Sequence, residues 1–88
     1  MSKLTFSEMA WADYLTWQNE DKKTLKRINQ LIKDIERQGP LTGIGKPERL
    51  KGNRHSEYSR RINSFDRLVY EIEEDVIIIK QCKGHYND

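Results

Sequence analysis

The apolar positions in the first half of this chain recur every three or four residues, which predicts helices. Ser7 and Asp21 are suitable N-caps for two consecutive helices, and Gly39-Pro40 ends the second one. The first helix is short, whereas the second carries a long apolar stripe with lysines on its other side. We expect the apolar side chains of both helices to form the core, namely Trp11, Tyr14, Leu25, Ile28, Leu31, Ile32 and Ile35.

Segments rich in Tyr, Ile and Val predict four β-strands. These are Lys3 to Phe6 before the helices, and Glu57 to Ile62, Arg67 to Glu73 and Val76 to Lys83 after them. Turns are predicted at 63–66 and 74–75, and the glycine-rich segment 40–53 is predicted to be a long irregular loop. The order strand, helix, helix and three strands predicts an α+β fold with the helical pair on one face of a largely antiparallel sheet.

The composition limits the chain to one small domain that spans residues 1–88. A single cysteine, Cys82, excludes an intrachain disulfide and a multi-cysteine zinc site, and it is predicted to pack in the core. Neither a signal peptide nor an apolar run of membrane-spanning length is visible, so we expect a cytoplasmic protein with no membrane partner.

The charges are distributed unevenly along the chain. Residues 46–67 contain seven Lys or Arg and three Asp or Glu, a local charge of +4, although the whole chain carries only +2. The remainder is therefore net acidic. Such a basic middle can attract a phosphate backbone to one place, although a solvated charged surface would show the same pattern.

The sequence lacks the residue patterns of metal sites and phosphate-binding loops. His55 and His85 are the two imidazoles, and neither has metal-ligand spacing around it, so no metal or other cofactor is expected. Gly43, Gly45 and Lys46 lack the spacing of a phosphate-binding loop. RNA supplies its own nucleophile, the 2′-hydroxyl, so a ribonuclease without a metal needs a base, an acid and cations at the phosphate.

Four spaced motifs resemble the YoeB/Txe toxins of toxin–antitoxin systems, within the RelE-like superfamily. They are GIGKPERLKG at 43–52, YSRRI at 58–62, DRLVYEI at 66–72 and the pair His85-Tyr86, and the similarity extends from about Leu4 to Tyr86. The resemblance implies a RelE-like fold and a ribosome-dependent endoribonuclease that cleaves mRNA in the ribosomal A site. It also implies a 2′,3′-cyclic phosphate product, a YefM-like antitoxin as partner, and ribosome and mRNA as targets.

The resemblance also implies a role for individual residues. The implied catalytic set is Glu48 as general base, Arg67 as the arginine that stabilises the transition state, His85 as general acid and Tyr86 as an aromatic that positions or stacks on a base. The implied phosphate-binding set is Lys51 and Arg61, together with Arg60. Because Arg60 must point to the opposite strand face from Arg61, we expect it to contact ribosomal RNA or to hold the structure.

Two other functions are compatible with the sequence. One is a RelE-fold toxin that acts only by binding, as ParE-like gyrase inhibitors do, and the other is a basic RNA-binding module without catalysis. A toxin that only binds does not need Glu48 and His85 together, and formation of a 2′,3′-cyclic phosphate would exclude the RNA-binding module. Toxins of this group also pair with themselves, so a homodimer is a further expected assembly.

The turn after Glu73 decides whether the implied site residues share one face of the sheet. A two-residue turn would pair Arg67 with Cys82 and place His85 on the opposite face, unless a bulge intervenes. We predict instead a three-residue loop at 73–75. In that register the residues on the face of Arg67 are Arg61, Val69, Glu71, Ile77, Ile79, Gln81 and His85, and those that pack toward the helices are Leu68, Tyr70 and Ile72.

Overall fold

The structure is a computed structural model that describes residues 3–85. Its elements, in chain order, are β1 (Lys3–Phe6), α1 (Glu8–Glu20), α2 (Lys22–Gln38), β2 (Glu48–Arg49), a 3₁₀ turn (Gly52–Arg54), β3 (Glu57–Arg61), β4 (Arg67–Glu73) and β5 (Val76–Gln81). Both predicted N-caps are confirmed. The Ser7 hydroxyl accepts a hydrogen bond from the Ala10 amide, and the Asp21 carboxylate accepts from the Lys23 and Thr24 amides.

The five strands form one sheet in the order β1-β5-β4-β3-β2, in which only the β1–β5 pair is parallel. Both helices contribute to a core on one face of this sheet. The buried residues of that core are Ala10, Ile28, Leu31, Ile32, Ile35, Ile62, Leu68, Tyr70, Ile77, Ile79 and Cys82. The predicted α+β fold, with a helical pair on a largely antiparallel sheet, is therefore confirmed.

Predictions about one loop, two strand ends and one side chain were wrong. The loop at 40–53 is not wholly irregular, since it contains the two-residue strand β2. The strand predicted to end at Ile62 ends at Arg61, and the last strand ends at Gln81 rather than at Lys83. Trp11 is not a core residue, because 49% of it is exposed. It stacks on Tyr14 beside a groove instead, and helix α1 buries only Ala10 fully.

The β4–β5 hairpin has a two-residue turn, so the predicted three-residue loop was wrong. Glu73 pairs with Val76, and Glu74 takes the left-handed conformation that such a tight turn requires, with φ 56°. In this register Ile77 and Ile79 face the helices together with Tyr70 and Ile72, rather than sharing the face of Arg67. The reason is burial, because both isoleucines enter the core only in this pairing.

A β-bulge then changes the parity of the hairpin. Tyr70 pairs with Ile79 but Val69 pairs with Gln81, which leaves Lys80 as the extra residue of β5. Beyond the bulge, Gln81 therefore shares the face of Val69, as predicted for Gln81. With a two-residue turn and no bulge, Gln81 would lie on the sheet face opposite Val69. The bulge places Gln81 back on the face of Val69.

Arg60 organises the loop before β2 from inside the protein. Its side chain is fully buried, and its five N–H donors meet five acceptors. Nη1 donates to the Asp34 carboxylate at 2.6 Å and to the Ile44 carbonyl at 2.9 Å, while the other donors bind the Tyr70 hydroxyl and the carbonyls of residues 39 and 42. The loop therefore enters β2 along a defined path.

Candidate active site

The sheet face opposite the helices gathers several of the implied site residues. Residues that pair directly on neighbouring strands lie on the same face of the sheet. One such row crosses strands β2 to β5 and consists of Glu48, Ser59, Val69 and Gln81. Arg61 pairs with Arg67. Arg61 is two positions from Ser59, and Arg67 is two positions from Val69, so both arginines lie on that same face. The prediction that Arg61 and Arg67 share a face is confirmed.

The two rows place the arginines between the carboxylate and the imidazole. Glu48 is level with Ser59, and Arg61 lies two residues, or roughly 7 Å, further along β3. The turn at 63–66 follows, and His85 contacts this turn. The order across the surface is therefore carboxylate, guanidinium groups, imidazole.

Arg67 is largely buried, with 9% of the residue exposed, and its orientation is determined by the turn that precedes it. Nη1 donates to the carbonyl oxygen of Asn63 at 2.9 Å and to that of Asp66 at 3.2 Å. A guanidinium oriented by backbone carbonyls loses little additional entropy when it binds an anion. Both of these bonds come from Nη1.

His85 is exposed, and its ring contacts the same turn. Nδ1 lies 3.0 Å from the Phe65 carbonyl oxygen, and the His85 and Phe65 rings are 5.7 Å apart. A carbonyl oxygen can only accept a hydrogen bond, so Nδ1 carries a proton in this arrangement. Nε2 is then the ring nitrogen that does not bind the Phe65 carbonyl.

Helix α1 holds the chain just before His85. The Trp17 indole donates to the Cys82 carbonyl at 2.7 Å, and the Asp13 carboxylate accepts from the Cys82 amide at 3.1 Å. Burial raises the pKa of Asp13, although the bond from the Cys82 amide opposes this effect. Burial also raises the pKa of the Cys82 thiol to about 12, with a smaller contribution from the Asp13 charge. As predicted, Cys82 is a core residue, and it is a neutral thiol.

The remaining implied residues have different surroundings. Lys51 is exposed and precedes the 3₁₀ turn, shortly after Glu48 in the chain. Tyr86 lies outside the described residues. Arg60 does not belong to the site, because it is buried on the helix side with all five donors occupied. Of the two roles expected for Arg60, the structure supports the structural one and corrects its assignment to the phosphate-binding set.

Three residues near the site were not identified from the sequence. Asn63 and Asp66 bind one another across the β3–β4 turn, and Gln81 donates to the carbonyls of residues 83, 84 and 85. Asn and Asp are turn formers, so the sequence indicated a turn here. It contained no signal that the turn would contact the segment before His85.

Two further findings concern only the described part of the chain. Residues 3–85 contain no group of three or more His, Cys, Asp or Glu side chains that could hold a metal ion. None of the helices in this range is both long enough and apolar enough to cross a membrane.

The fold and this face define a small RelE-like toxin. The family model of the YoeB-like toxin of bacterial type II toxin–antitoxin systems matches residues 6–86, so the chain belongs to the YoeB toxin family. Toxin YoeB of Synechocystis is 55% identical over 84 residues, which cover 96% of each chain. Toxin YoeB of Escherichia coli K12 is 50% identical, over 96% of this chain and 99% of its own.

Solved structures agree with this assignment. The YoeB dimer from Staphylococcus aureus is similar with a TM-score of 0.91 and 52% identity, over 97% of this chain and 98% of the other. A heterotetrameric YoeB–YefM complex from the same species gives a TM-score of 0.90 and 51% identity, over 98% and 99% of the two chains. The resemblance seen in the motifs is confirmed over nearly the whole chain.

Proposed function

We propose that this toxin is a ribosome-dependent endoribonuclease that cleaves mRNA in the ribosomal A site by acid–base chemistry without a metal ion. The observation that carries the proposal is that Glu48, Arg61 and Arg67 share one sheet face, while His85 contacts the turn that immediately precedes Arg67. A carboxylate, two paired arginines and an imidazole are the set that cleavage by an RNA 2′-hydroxyl needs.

In the proposed reaction the Glu48 carboxylate removes the proton of the 2′-hydroxyl, and the 2′-oxygen attacks the adjacent phosphorus. The bond from phosphorus to the 5′-oxygen breaks, and the proton on Nε2 of His85 passes to that leaving oxygen. The products are a 2′,3′-cyclic phosphate and a 5′-hydroxyl. The bond from Nδ1 to the Phe65 carbonyl supports this role, because it leaves the transferable proton on Nε2.

Arg67 and Arg61 neutralise the charge that develops on the phosphate, and Lys51, three residues after Glu48 in the chain, adds a further cation. Preoriented donors are effective here because they need not reorganise during the reaction. The Arg67 guanidinium meets this condition, since two carbonyls orient it in the absence of RNA. We further propose that Tyr86 stacks on a base beside His85, an interaction worth roughly 1–3 kcal/mol.

Dependence on the ribosome is consistent with the openness of the site. Glu48 is exposed and lies on a strand of only two residues, so the protein encloses little of a substrate. A second surface that holds the mRNA would supply the alignment that an open face lacks, and such alignment has a large effect on rate. The ribosomal decoding site presents mRNA in an ordered, single-stranded form.

The test is cleavage of a reporter mRNA in a translating extract, with the cut positions mapped by primer extension. Glu48→Gln and His85→Gln should each slow cleavage by about 10²- to 10⁴-fold. Matched controls are Glu36→Gln, at an exposed position of helix α2 on the other side of the sheet, and His55→Gln, which makes the same change at the other histidine. Full cleavage by either site variant would contradict the assigned role. In cells that make the toxin, growth arrest without cut mRNA would favour a toxin that acts only by binding, such as a ParE-like gyrase inhibitor.

We also propose a YefM-like antitoxin as the partner that inactivates this toxin. The support is the heterotetramer that the Staphylococcus aureus homologue forms with YefM. The cationic groups of Lys51, Arg61 and Arg67 suit an acidic antitoxin segment that competes with RNA. Addition of the antitoxin to the same extract should abolish cleavage. The YoeB dimer of that species supports a homodimer of this chain as well, which sedimentation of the free toxin would detect.

A further inference from the structure

The turn between β3 and β4, residues Asn63 to Asp66, is closed by its own side chains. Asn63 Oδ1 accepts hydrogen bonds from the Phe65 amide at 2.8 Å and from the Asp66 amide at 2.7 Å. Asn63 Nδ2 donates to Asp66 Oδ2 at 2.9 Å. These three bonds use both the oxygen and the nitrogen of the Asn63 side-chain amide. Because the amide is held in this way, its bond from Nδ2 gives the Asp66 carboxylate a defined orientation.

The same turn binds the chain on both sides of Gly84. Asp66 Oδ1 accepts from the Gly84 amide at 2.7 Å, and the Arg67 amide donates to the Gly84 carbonyl at 3.0 Å. Gly84 has φ +82°, a conformation that other residues rarely adopt. The two peptide groups that precede His85 are therefore anchored next to the turn.

The turn also determines the orientation of two of the proposed catalytic groups, His85 and Arg67. Its Phe65 carbonyl binds Nδ1 of His85, and its Asn63 and Asp66 carbonyls bind the Arg67 guanidinium. A four-residue segment thus sets the position of the imidazole relative to the guanidinium. Cys82 is held separately by helix α1, so the contacts of Asp66 govern only the last residues before His85.

We propose that Asp66 is a positioning residue, which, oriented by Asn63, holds the His85 segment so that the imidazole stays on the Phe65 carbonyl. This inference rests on the proposed function, because it concerns the geometry of the proposed acid. Asp66 itself does not touch the substrate. It acts through Gly84, and its contribution is the alignment of His85 with Arg67.

The hydrogen-bond pattern provides a sharp test. In Asp66→Asn, one carboxylate oxygen becomes an amide nitrogen, so the new side chain cannot accept from both Gly84 N and Asn63 Nδ2. One of those two contacts becomes a pair of opposed donors. The double variant N63D/D66N reverses donor and acceptor between the two side chains and restores every bond. Asp75→Asn, in the exposed β4–β5 turn, makes the same chemical change elsewhere.

The first measurement is the ¹⁵N spectrum of the imidazole rings in the purified full chain, with His55→Gln used to assign the two histidines. We expect neutral His85 to be protonated at Nδ1 in the unsubstituted chain, in Asp75→Asn and in N63D/D66N. In Asp66→Asn we expect a mixture of the two tautomers. Urea midpoints measured in parallel identify any variant that has lost its fold.

The second measurement is mRNA cleavage in the translating extract. We expect Asp66→Asn to slow cleavage by about 10- to 100-fold, since small misplacements of catalytic groups have effects of this size, and N63D/D66N to recover it. An unchanged His85 tautomer in folded Asp66→Asn would overturn the proposal, as would a folded double variant without recovery. If Asp66→Asn lost the Nδ1-protonated tautomer but cleaved mRNA at the normal rate, Asp66 would position His85 and His85 would not be the acid. The positioning role of Asp66 and the acid role of His85 can therefore fail separately.

Discussion

Replacing Arg60 by methionine removes the buried guanidinium around which the 39–45 loop is arranged. Methionine is flexible and apolar and can follow the path of the arginine's aliphatic stem, so the main change is the loss of the charged group and its donors. Asp34 keeps its bond from the Ile44 amide at 2.8 Å, but it loses its cationic partner. The carbonyls of residues 39, 42 and 44 lose their bonds to the side chain as well.

The expected loss in the free energy of unfolding can be estimated from the hydrogen bonds that Arg60 makes. Five hydrogen bonds at a typical net value of about 1 kcal/mol each would give about 5 kcal/mol. Removing one partner of a buried ion pair costs about 3–5 kcal/mol in other proteins. Since a chain of 88 residues has a total stability of about 4–13 kcal/mol, Arg60→Met should lose a large part of it. Because β2 follows this loop, we also expect reduced cleavage through Glu48.

Urea unfolding measures this cost through the fluorescence of Trp11 and Trp17 and through the helical circular dichroism signal, at one fixed protein concentration. The matched control is Arg54→Met, whose ion pair with Glu57 is partly exposed and should contribute at most about 1 kcal/mol. If Arg60→Met lost no more stability than Arg54→Met, the loop would not depend on the buried guanidinium and the reasoning would be refuted.

Three further predictions concern stability and reactivity. Gly43→Ala should lower the urea midpoint more than Gly52→Ala. Both glycines have a positive φ, but only at Gly43 would a new Cβ lie 1.9 Å from Asp34 Oδ2. Equal losses in the two variants would contradict this reasoning. Cys82 should react with a thiol reagent only after unfolding, since its pKa of about 12 keeps it neutral, and rapid labelling of the folded chain would count against its burial. The hydrogen bond from the Ile44 amide, and after it the bond from Arg60, lowers the pKa of Asp34 in the folded chain. The Asp34 carboxylate therefore stabilises the fold above the ordinary pKa of 3.8, and this stabilisation is lost as the pH falls through the lower folded pKa. Asp34→Asn should therefore show a flatter fall in urea midpoint below that pH, and an unchanged slope would refute the assignment.

The helices were predictable from the sequence because their signals are local. Ser7 and Asp21 cap helices through amides two or three residues away, and the α2 stripe follows from a fixed helical period. β2 was missed because two residues cannot show a period, and its existence depends on pairing with β3. Trp11 was assigned to the core because spacing reports which helix face a residue occupies, but not how far the sheet extends beneath it.

The register of the β4–β5 hairpin shows a second limit of sequence reasoning. Both turn lengths were compatible with the residues around Glu74, and the choice depends on whether Ile77 and Ile79 reach the core. The bulge at Lys80 has no local signature in a run of β-branched residues. Only the combined pairing of the strands on both sides determines where an extra residue can be accommodated.

By itself, the sequence determined the element types, the α+β class and, through its spaced motifs, the family and the candidate side chains. The tertiary structure decided which of those side chains meet: it placed Glu48, Arg61 and Arg67 on one face, buried Arg60 on the other, and brought the β3–β4 turn to Gly84 and His85. The physical reason is that caps and periods act over a few residues. Register, bulges and the satisfaction of buried donors depend instead on segments that are distant along the chain.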